Sequence, residues 1–298
     1  MNKVFLILIF LNIERIKKEI GDKGAFIIVD IKSGNIIDYH NRKLCFSTLL
    51  PPGSFFKIFT TIVLIEENII DENFYVDCKG EEILEIDNDK IKVKCWIKNG
   101  HGKQNIKDAL KNSCNIFFAK ASLLIDPYLF IKYFKILKLD DLSTSCIGGE
   151  ILNEIKIPLK KKNLIDFALG ENGYIKMTLS SMLSFLVSIS RNGFFVPLWI
   201  KEKNNLVYPL GIYNSLKILK ESLRSVCKEG TGILANYKDR TAGKTGTPKH
   251  INGWRTHAIF AGYYPYYDPR IGIIVFLKIG QGSKDAAPLA KRILECLE

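Results

Sequence analysis

Three short segments carry residue types that could do nucleophilic chemistry. The first is Pro51-Pro52-Gly53-Ser54-Phe55-Phe56-Lys57, an S-x-x-K. If Ser54 opens a helix, residues i and i+3 share a face, and the Lys57 amine can reach the Ser54 hydroxyl. A serine hydroxyl is a poor nucleophile until a neighbouring base takes its proton. A lysine becomes that base when burial or nearby cations push it toward the neutral form; Phe55 and Phe56 offer an apolar setting for this. The second segment is Ser113-Cys114-Asn115, an S-x-N. Its serine can relay a proton, and its asparagine can hydrogen-bond a substrate amide. The third is Lys244-Thr245-Gly246-Thr247 within Ala242–Pro248. A cation and two hydroxyls on a strand edge suit a carboxylate, and Gly246 lets a substrate backbone approach and pair as an added strand. Each segment alone is a common accident, and an S-x-N reads equally well as a helix cap. In this order, the three together point at one chemistry, a serine activated by a neighbouring lysine.

Other motifs fail on context. Gly230-Thr231-Gly232-Ile233-Leu234-Ala235 has the letters of a dinucleotide fingerprint, but Leu219–Glu229 before it reads as helix rather than strand. Gly243-Lys244-Thr245 ends like a P-loop, but Lys238 stands where the upstream glycine must be. His40, His101, His250 and His257 share no spacing that would support a Ser-His-Asp triad. The seven cysteines form no CxxC and no Cys/His cluster at zinc spacing, so no metal site is expected. Cys78 and Cys95 are close enough in sequence to close a loop.

The elements that must position these residues lie at both ends of the chain. Residues 24–31 and 36–39 flank Ser33-Gly34-Asn35 and read as a hairpin. Ala258–Tyr263 and Ile271–Leu277 read as two more strands, with Pro265 and Asp268-Pro269 in the turn. Helical spacing appears in Ile58–Glu67, Ile116–Leu124, Leu179–Ser190 and Ala286–Leu297. The pattern predicts an α+β fold: an antiparallel sheet built from distant parts of the chain, flanked by helices, with a mostly helical insert.

The chain has 298 residues, with 43 Lys and Arg against 31 Asp and Glu, and a net charge of +12. At 47% hydrophobic and 25% charged it is a globular sequence, not a disordered one. The lysines are spread along the chain, and only Lys160-Lys161-Lys162 clusters. That distribution reads as a solvated surface rather than a nucleic-acid site. Val4–Leu11 is an apolar run of about 12 Å as a helix, against the roughly 30 Å a bilayer requires. It reads either as a short export signal or anchor, or as a first element packed on the domain.

The motif set resembles that of the penicillin-binding and serine β-lactamase superfamily. More narrowly, the chain is similar to the transpeptidase domain of class B penicillin-binding proteins. Cys95-Trp96, Gly100-His101-Gly102 and Ala109–Asn115 match that family's approach to S-x-N. Glu154 to Pro158, Leu169-Gly170, Gly173 and Thr178, Asn192-Gly193-Phe194 with Pro197, Glu229–Gly232 and Ala286-Ala287-Pro288 follow its later segments. The likeness spans roughly residues 22–298. Glu171-Asn172 departs from it, standing where the family usually has glutamine.

The resemblance implies a D,D-transpeptidase that cross-links peptidoglycan and is acylated by β-lactams. Ser54 would be the nucleophile, Lys57 its base and Ser113 the proton shuttle. Asn115 would hold the substrate amide, and Lys244, Thr245 and Thr247 the carboxylate. Gly246 would admit the substrate strand, and the backbone N–H groups of Ser54 and Thr247 would form the oxyanion hole. No metal or organic cofactor is expected. The expected partners are stem peptides, β-lactams and cell-wall synthesis proteins, without nucleic acid. The Cys78–Cys95 pair recurs in the family's related segment, which implies a disulfide, with two reduced thiols as the other reading. The expected organisation is a signal-like or anchor segment at 1–21 and a transpeptidase domain at 22–298, without the pedestal domain of longer relatives, working outside the cytoplasmic membrane. Two other functions stay open. One is a β-lactamase or β-lactam sensor of the same fold, class D-like because Glu150-Ile151-Leu152-Asn153 is one residue short of the class A E-x-x-L-N. The other is a non-catalytic stem-peptide-binding module.

Overall fold

The two ends of the chain pair with each other. Strand β1 (Gly24–Asp30) lies antiparallel to a strand about 240 residues later, with Ile27 opposite Ile274. In a computed structural model that describes residues 3–145, 147–200, 207–250 and 254–297, and no side chains for residues 3–10 and 145, β1 also pairs β2 (Ile36–His40). Three late strands complete the sheet: β3 (Ala242–Gly246), β4 (Ala258–Tyr264) and β5 (Ile271–Leu277). The order is β3-β4-β5-β1-β2, antiparallel throughout. The strands predicted from sequence are found at their predicted places.

Both faces of this sheet are covered, which is why its central strands read as continuous apolar runs rather than alternating ones. Ala25, Ile27, Val29, Ile274 and Phe276 face the larger core. Phe26, Ile28, Ile273 and Val275 face a second, smaller one. Seven helices suffice to describe the frame: α1 (Lys3–Ile20), α2 (Lys57–Glu66), α3 (Ile106–Lys111), α4 (Asn115–Ser122), α5 (Leu179–Ser190), α6 (Asn214–Glu229) and α7 (Ala287–Cys296). Helix α5 is buried along its whole length and belongs to the larger core. Thr178 caps it, accepting from Ser181 N at 3.1 Å.

Helix α1 joins α7 over the smaller core. Ile13, Ile16 and Ile20 are buried there with Leu289, Ile293 and Leu294. Lys17 pairs with Asp38 at 2.8 Å and Glu19 with Arg292 at 2.6 Å. The later half of the 1–21 segment is therefore part of the packed fold. Among the described residues, no helix is long and apolar enough to cross a membrane.

The insert between β2 and β3 is not purely helical. Glu81–Ile86 and Asp89–Lys94 form a hairpin, and Val76–Cys78 pairs with Gly102–Gln104. Asp87 and Asn88 take positive φ (49° and 68°) in the hairpin turn, and Glu81–Lys92 is an ion pair between its strands. The turn and cross-strand charges fix the pairing, and the alternating Leu84, Ile86, Ile91 and Val93 give the hairpin an apolar face against the larger core.

Candidate active site

The S-x-x-K lies in a tight 3-10 turn, Gly53–Phe56, which runs into α2. Ser54 thus precedes the α-helix rather than opening it. Lys57 is the first residue of α2, and its N–H bonds back to the Ser54 carbonyl. Aromatic packing pins the turn. Phe56 stacks on Phe59 at 4.6 Å between centroids and meets Phe167 edge-on, while Phe55 meets Phe185. Gly53 N donates to Gly170 O at 3.1 Å, so the Leu169-Gly170 segment holds the turn from behind.

The S-x-N is a break between helices. After α3 the chain turns left-handed at Ser113 (φ 54°), becomes extended at Cys114 and resumes as α4 at Asn115. A left-handed serine costs on the order of 1–3 kcal/mol unless its surroundings hold it. Here Cys114 N donates to Ala109 O at 2.9 Å and Ser113 N to Leu110 O at 3.3 Å. The break brings both side chains onto Lys57. The Lys57 amine donates to Ser113 O (2.8 Å), Asn115 Oδ1 (2.7 Å) and Ser113 Oγ (3.3 Å).

The K-T-G lies on β3, at the edge of the sheet. Its lysine reaches the same serine: Lys244 Nζ is 3.0 Å from Ser113 Oγ and 3.0 Å from Thr245 O. A Cβ placed on Gly246 would sit 2.9 Å from Pro52 O, so only glycine lets the strand lie against the Ser54 turn without displacement. Thr245 Oγ1 lies 2.8 Å from Thr231 Oγ1, and Thr247 Oγ1 accepts from Gly282 N at 3.0 Å. The open edge of β3 offers unpaired backbone groups to an added strand.

Electrostatics sets what this arrangement can do. Lys57 and Lys244 are both fully buried, and every acceptor of the Lys57 amine named above is neutral. Burial pushes the Lys57 amine from 10.5 down to about 8, against an upward pull from Cys114, Cys95 and Glu171. Burial, and then the charge of Lys57, hold Lys244 well below the usual lysine range. A serine hydroxyl has one donor and two acceptor sites. Ser113 Oγ can therefore accept from a charged amine while donating to a neutral one, which is what a proton relay requires. Glu171 is half-buried near Lys57, and burial raises its carboxyl pKa.

The structure thus joins Lys57, Ser113, Asn115 and Lys244 by direct hydrogen bonds. Ser54 and Gly246 lie on facing backbone segments, and Thr245 and Thr247 on and just past the edge strand. Sequence reasoning did not single out Thr231 as a contact of Thr245, although the segment Glu229–Gly232 was visible. It also misjudged the cysteines. Cys78 and Cys95 are free thiols, not a disulfide. Cys78, Cys95 and Cys114 gather around His101, although no CxxC announces such a cluster. Cys146 lies outside the described residues.

Comparison with known proteins follows the same lines. Residues 24–295 match the family described as penicillin binding protein transpeptidase domain. The chain is 27% identical over 284 residues to stage V sporulation protein D of Bacillus subtilis, covering 86% of this chain and 43% of that protein. It is 24% identical over 292 residues to the peptidoglycan D,D-transpeptidase MrdA of Haemophilus influenzae, covering 82% and 44%. It spans less than half the length of both. Among solved structures, it resembles the penicillin-binding protein in the complex between PBP2 and MreC from Helicobacter pylori. The TM-score is 0.84 at 19% identity, covering 97% of this chain and 62% of that one, a likeness of fold.

Proposed function

Since this chain belongs to the penicillin binding protein transpeptidase domain family, we propose that it is a peptidoglycan D,D-transpeptidase working through a serine acyl-enzyme. The observation that carries this reading is Ser113 Oγ held between the amines of Lys57 (3.3 Å) and Lys244 (3.0 Å) beside the Ser54 turn. Neutral Lys57 takes the Ser54 proton as Oγ attacks the carbonyl carbon of the penultimate D-alanine. The oxyanion is held by the backbone N–H groups of Ser54 and Thr247. Ser113 then passes a proton to the departing D-alanine amine, leaving an ester on Ser54. An acceptor stem-peptide amine attacks that ester and restores the serine. Asn115 holds the donor amide, and Lys244, Thr245 and Thr247 its terminal carboxylate, with the donor backbone laid along β3 past Gly246.

The same pocket opens β-lactam rings, whose acyl-enzyme resembles the peptide ester. The substrate lies outside the cytoplasmic membrane, so the domain works there, alongside other cell-wall synthesis proteins. The test is labelling with fluorescent penicillin. Wild-type protein is expected to take one label and hold it for many minutes, and Ser54→Ala none. Rapid turnover of a chromogenic cephalosporin would favour a β-lactamase. Equal absence of label from both proteins would favour a non-catalytic binding module.

A further inference from the structure

Glu171 stands beside the site with no part in the steps above. Its place is fixed from both sides of the oxyanion hole. On one side, Gly170 O accepts the Gly53 N–H at 3.1 Å, next to Ser54. On the other, the Glu171 carboxylate accepts the backbone N–H of Lys249, two residues past Thr247. Pro248, between those two, packs against Gly53. The carboxylate is thus strung between the two segments whose N–H groups, at Ser54 and Thr247, would hold the oxyanion.

The loop is shaped to keep it there. Gly170, Asn172 and Gly173 all take positive φ (71°, 56° and 71°), and Glu171 N donates to Asp166 O at 2.8 Å. Left-handed residues other than glycine gather at functional sites. A Cβ on Gly170 would sit 2.4 Å from Gly53 O, so glycine alone lets the loop press against the Ser54 turn. A carboxylate has about four acceptor sites, and Glu171 is half-buried, so water reaches those that Lys249 leaves open. The charged groups facing it are Lys249 and Lys57, which favour the carboxylate, and Asp166, which opposes it. Burial outweighs them and makes Glu171 a stronger base than an exposed glutamate. The glutamine usual at this place in the family cannot take a proton at neutral pH. An acceptor amine entering where D-alanine left is served by Ser113, in reversal of the acylation step. Water is the weaker nucleophile and needs a base of its own.

We propose that Glu171 is the general base for water, which gives the domain a second activity: hydrolysis of its own acyl-enzyme, as a D,D-carboxypeptidase toward stem peptides. Water loses a proton to the Glu171 carboxylate as its oxygen bonds the acyl carbon. The bond from that carbon to Ser54 Oγ then breaks, and Oγ takes the same proton back through the Lys57 amine. The stem peptide leaves as a free acid, one D-alanine shorter, and a penicillin leaves as its ring-opened acid. This second activity rests on the serine acyl-enzyme reading above.

The test uses the full chain labelled with fluorescent penicillin, freed of excess probe and followed for release. Wild-type protein is expected to shed its label slowly as the ring-opened acid. Glu171→Gln should label no more slowly, because losing that charge leaves Lys57 easier to deprotonate. It should release the label about a hundredfold more slowly, the usual share of a general base. Glu171→Asp, which keeps a carboxylate, should fall between the two. A tripeptide ending in D-Ala-D-Ala, with its amines acetylated, leaves water as the only acceptor. Wild-type protein should free D-alanine from it over repeated turnovers, and Glu171→Gln should stop near a single turnover.

Release from Glu171→Gln as fast as from wild type would overturn the proposal, as would wild-type protein that labels but stops at a single turnover of the tripeptide. Loss of labelling in both Glu171→Gln and Glu171→Asp would overturn it too, by placing the residue in acylation or in the fold. Wild-type protein that takes no label would instead refute the acyl-enzyme reading itself.

Discussion

The pH dependence of acylation tests the reasoning about Lys57 most directly. Only the neutral amine can take the Ser54 proton, and burial brings its pKa to about 8 rather than 10.5. The neutral fraction is then about one tenth at pH 7 and about nine tenths at pH 9, and the acylation rate constant should rise about tenfold and level off. A lysine at its ordinary value would give a rise of about a hundredfold over the same range with no plateau. The assay is the second-order rate of fluorescent penicillin labelling under pseudo-first-order conditions, taken between pH 6 and 10.5. Stability carries the same signature with its own sign. The unfolded chain keeps the lysine proton up to about 10.5, whereas the folded one releases it near 8. Between those values the unfolded state binds more protons, so folding stability rises with pH, by up to ~3 kcal/mol for this group. Lys57→Met should remove that part of the rise along with acylation. A flat rate profile, or a hundredfold climb without levelling, would refute burial as the source of the base.

The other expectations concern the groups around this lysine and the start of the chain. Lys244→Ala removes a hydrogen bond to Ser113 Oγ, worth about 1 kcal/mol, together with a donor for the substrate carboxylate, so acylation should slow by roughly fivefold or more, while circular dichroism stays unchanged. Thr231→Val breaks the hydroxyl contact with Thr245 and should slow acylation by up to about tenfold, measured by the same labelling. Ile16→Ala empties a buried position beneath α1 and should cost about 2–4 kcal/mol in urea unfolding with little change in labelling of the folded protein; an unchanged midpoint would argue that α1 does not contribute to the core.

The strands were legible because β1, β4 and β5 are apolar on both faces and bounded by turns. Helix α5 was legible because its apolar residues recur every three or four positions up to Arg191. The ribbon Glu81–Lys94 was not, since its narrow apolar face (Leu84, Ile86, Ile91 and Val93 against the core) is interleaved with charges that make the segment read as polar. The role of α1 was undecided for a related reason. A short apolar run looks the same whether it meets lipid or a sheet, and only the placement of Ile13, Ile16 and Ile20 against Phe26 and Ile28 separates the two.

At the site, the order of Ser54-x-x-Lys57, Ser113-x-Asn115 and Lys244-Thr245-Gly246 was enough to name the family. Residue type is a local property, and few chemistries need those types together. The hydrogen bonds were beyond reach, because the residues that meet at Ser113 Oγ lie 56 and 131 positions away along the chain. The depression of Lys57 follows from complete burial, which no flanking residue specifies. The cysteines make the same point. Their spacing matches no zinc pattern, and a disulfide was the nearer reading. Only the pairing of Val76–Cys78 with Gly102–Gln104, and the helix break at Cys114, put four ligand atoms in one place. The sequence by itself determined the sheet and the family. The tertiary structure decided the burial of Lys57 and the company the cysteines keep, because both depend on distances between segments remote in the chain.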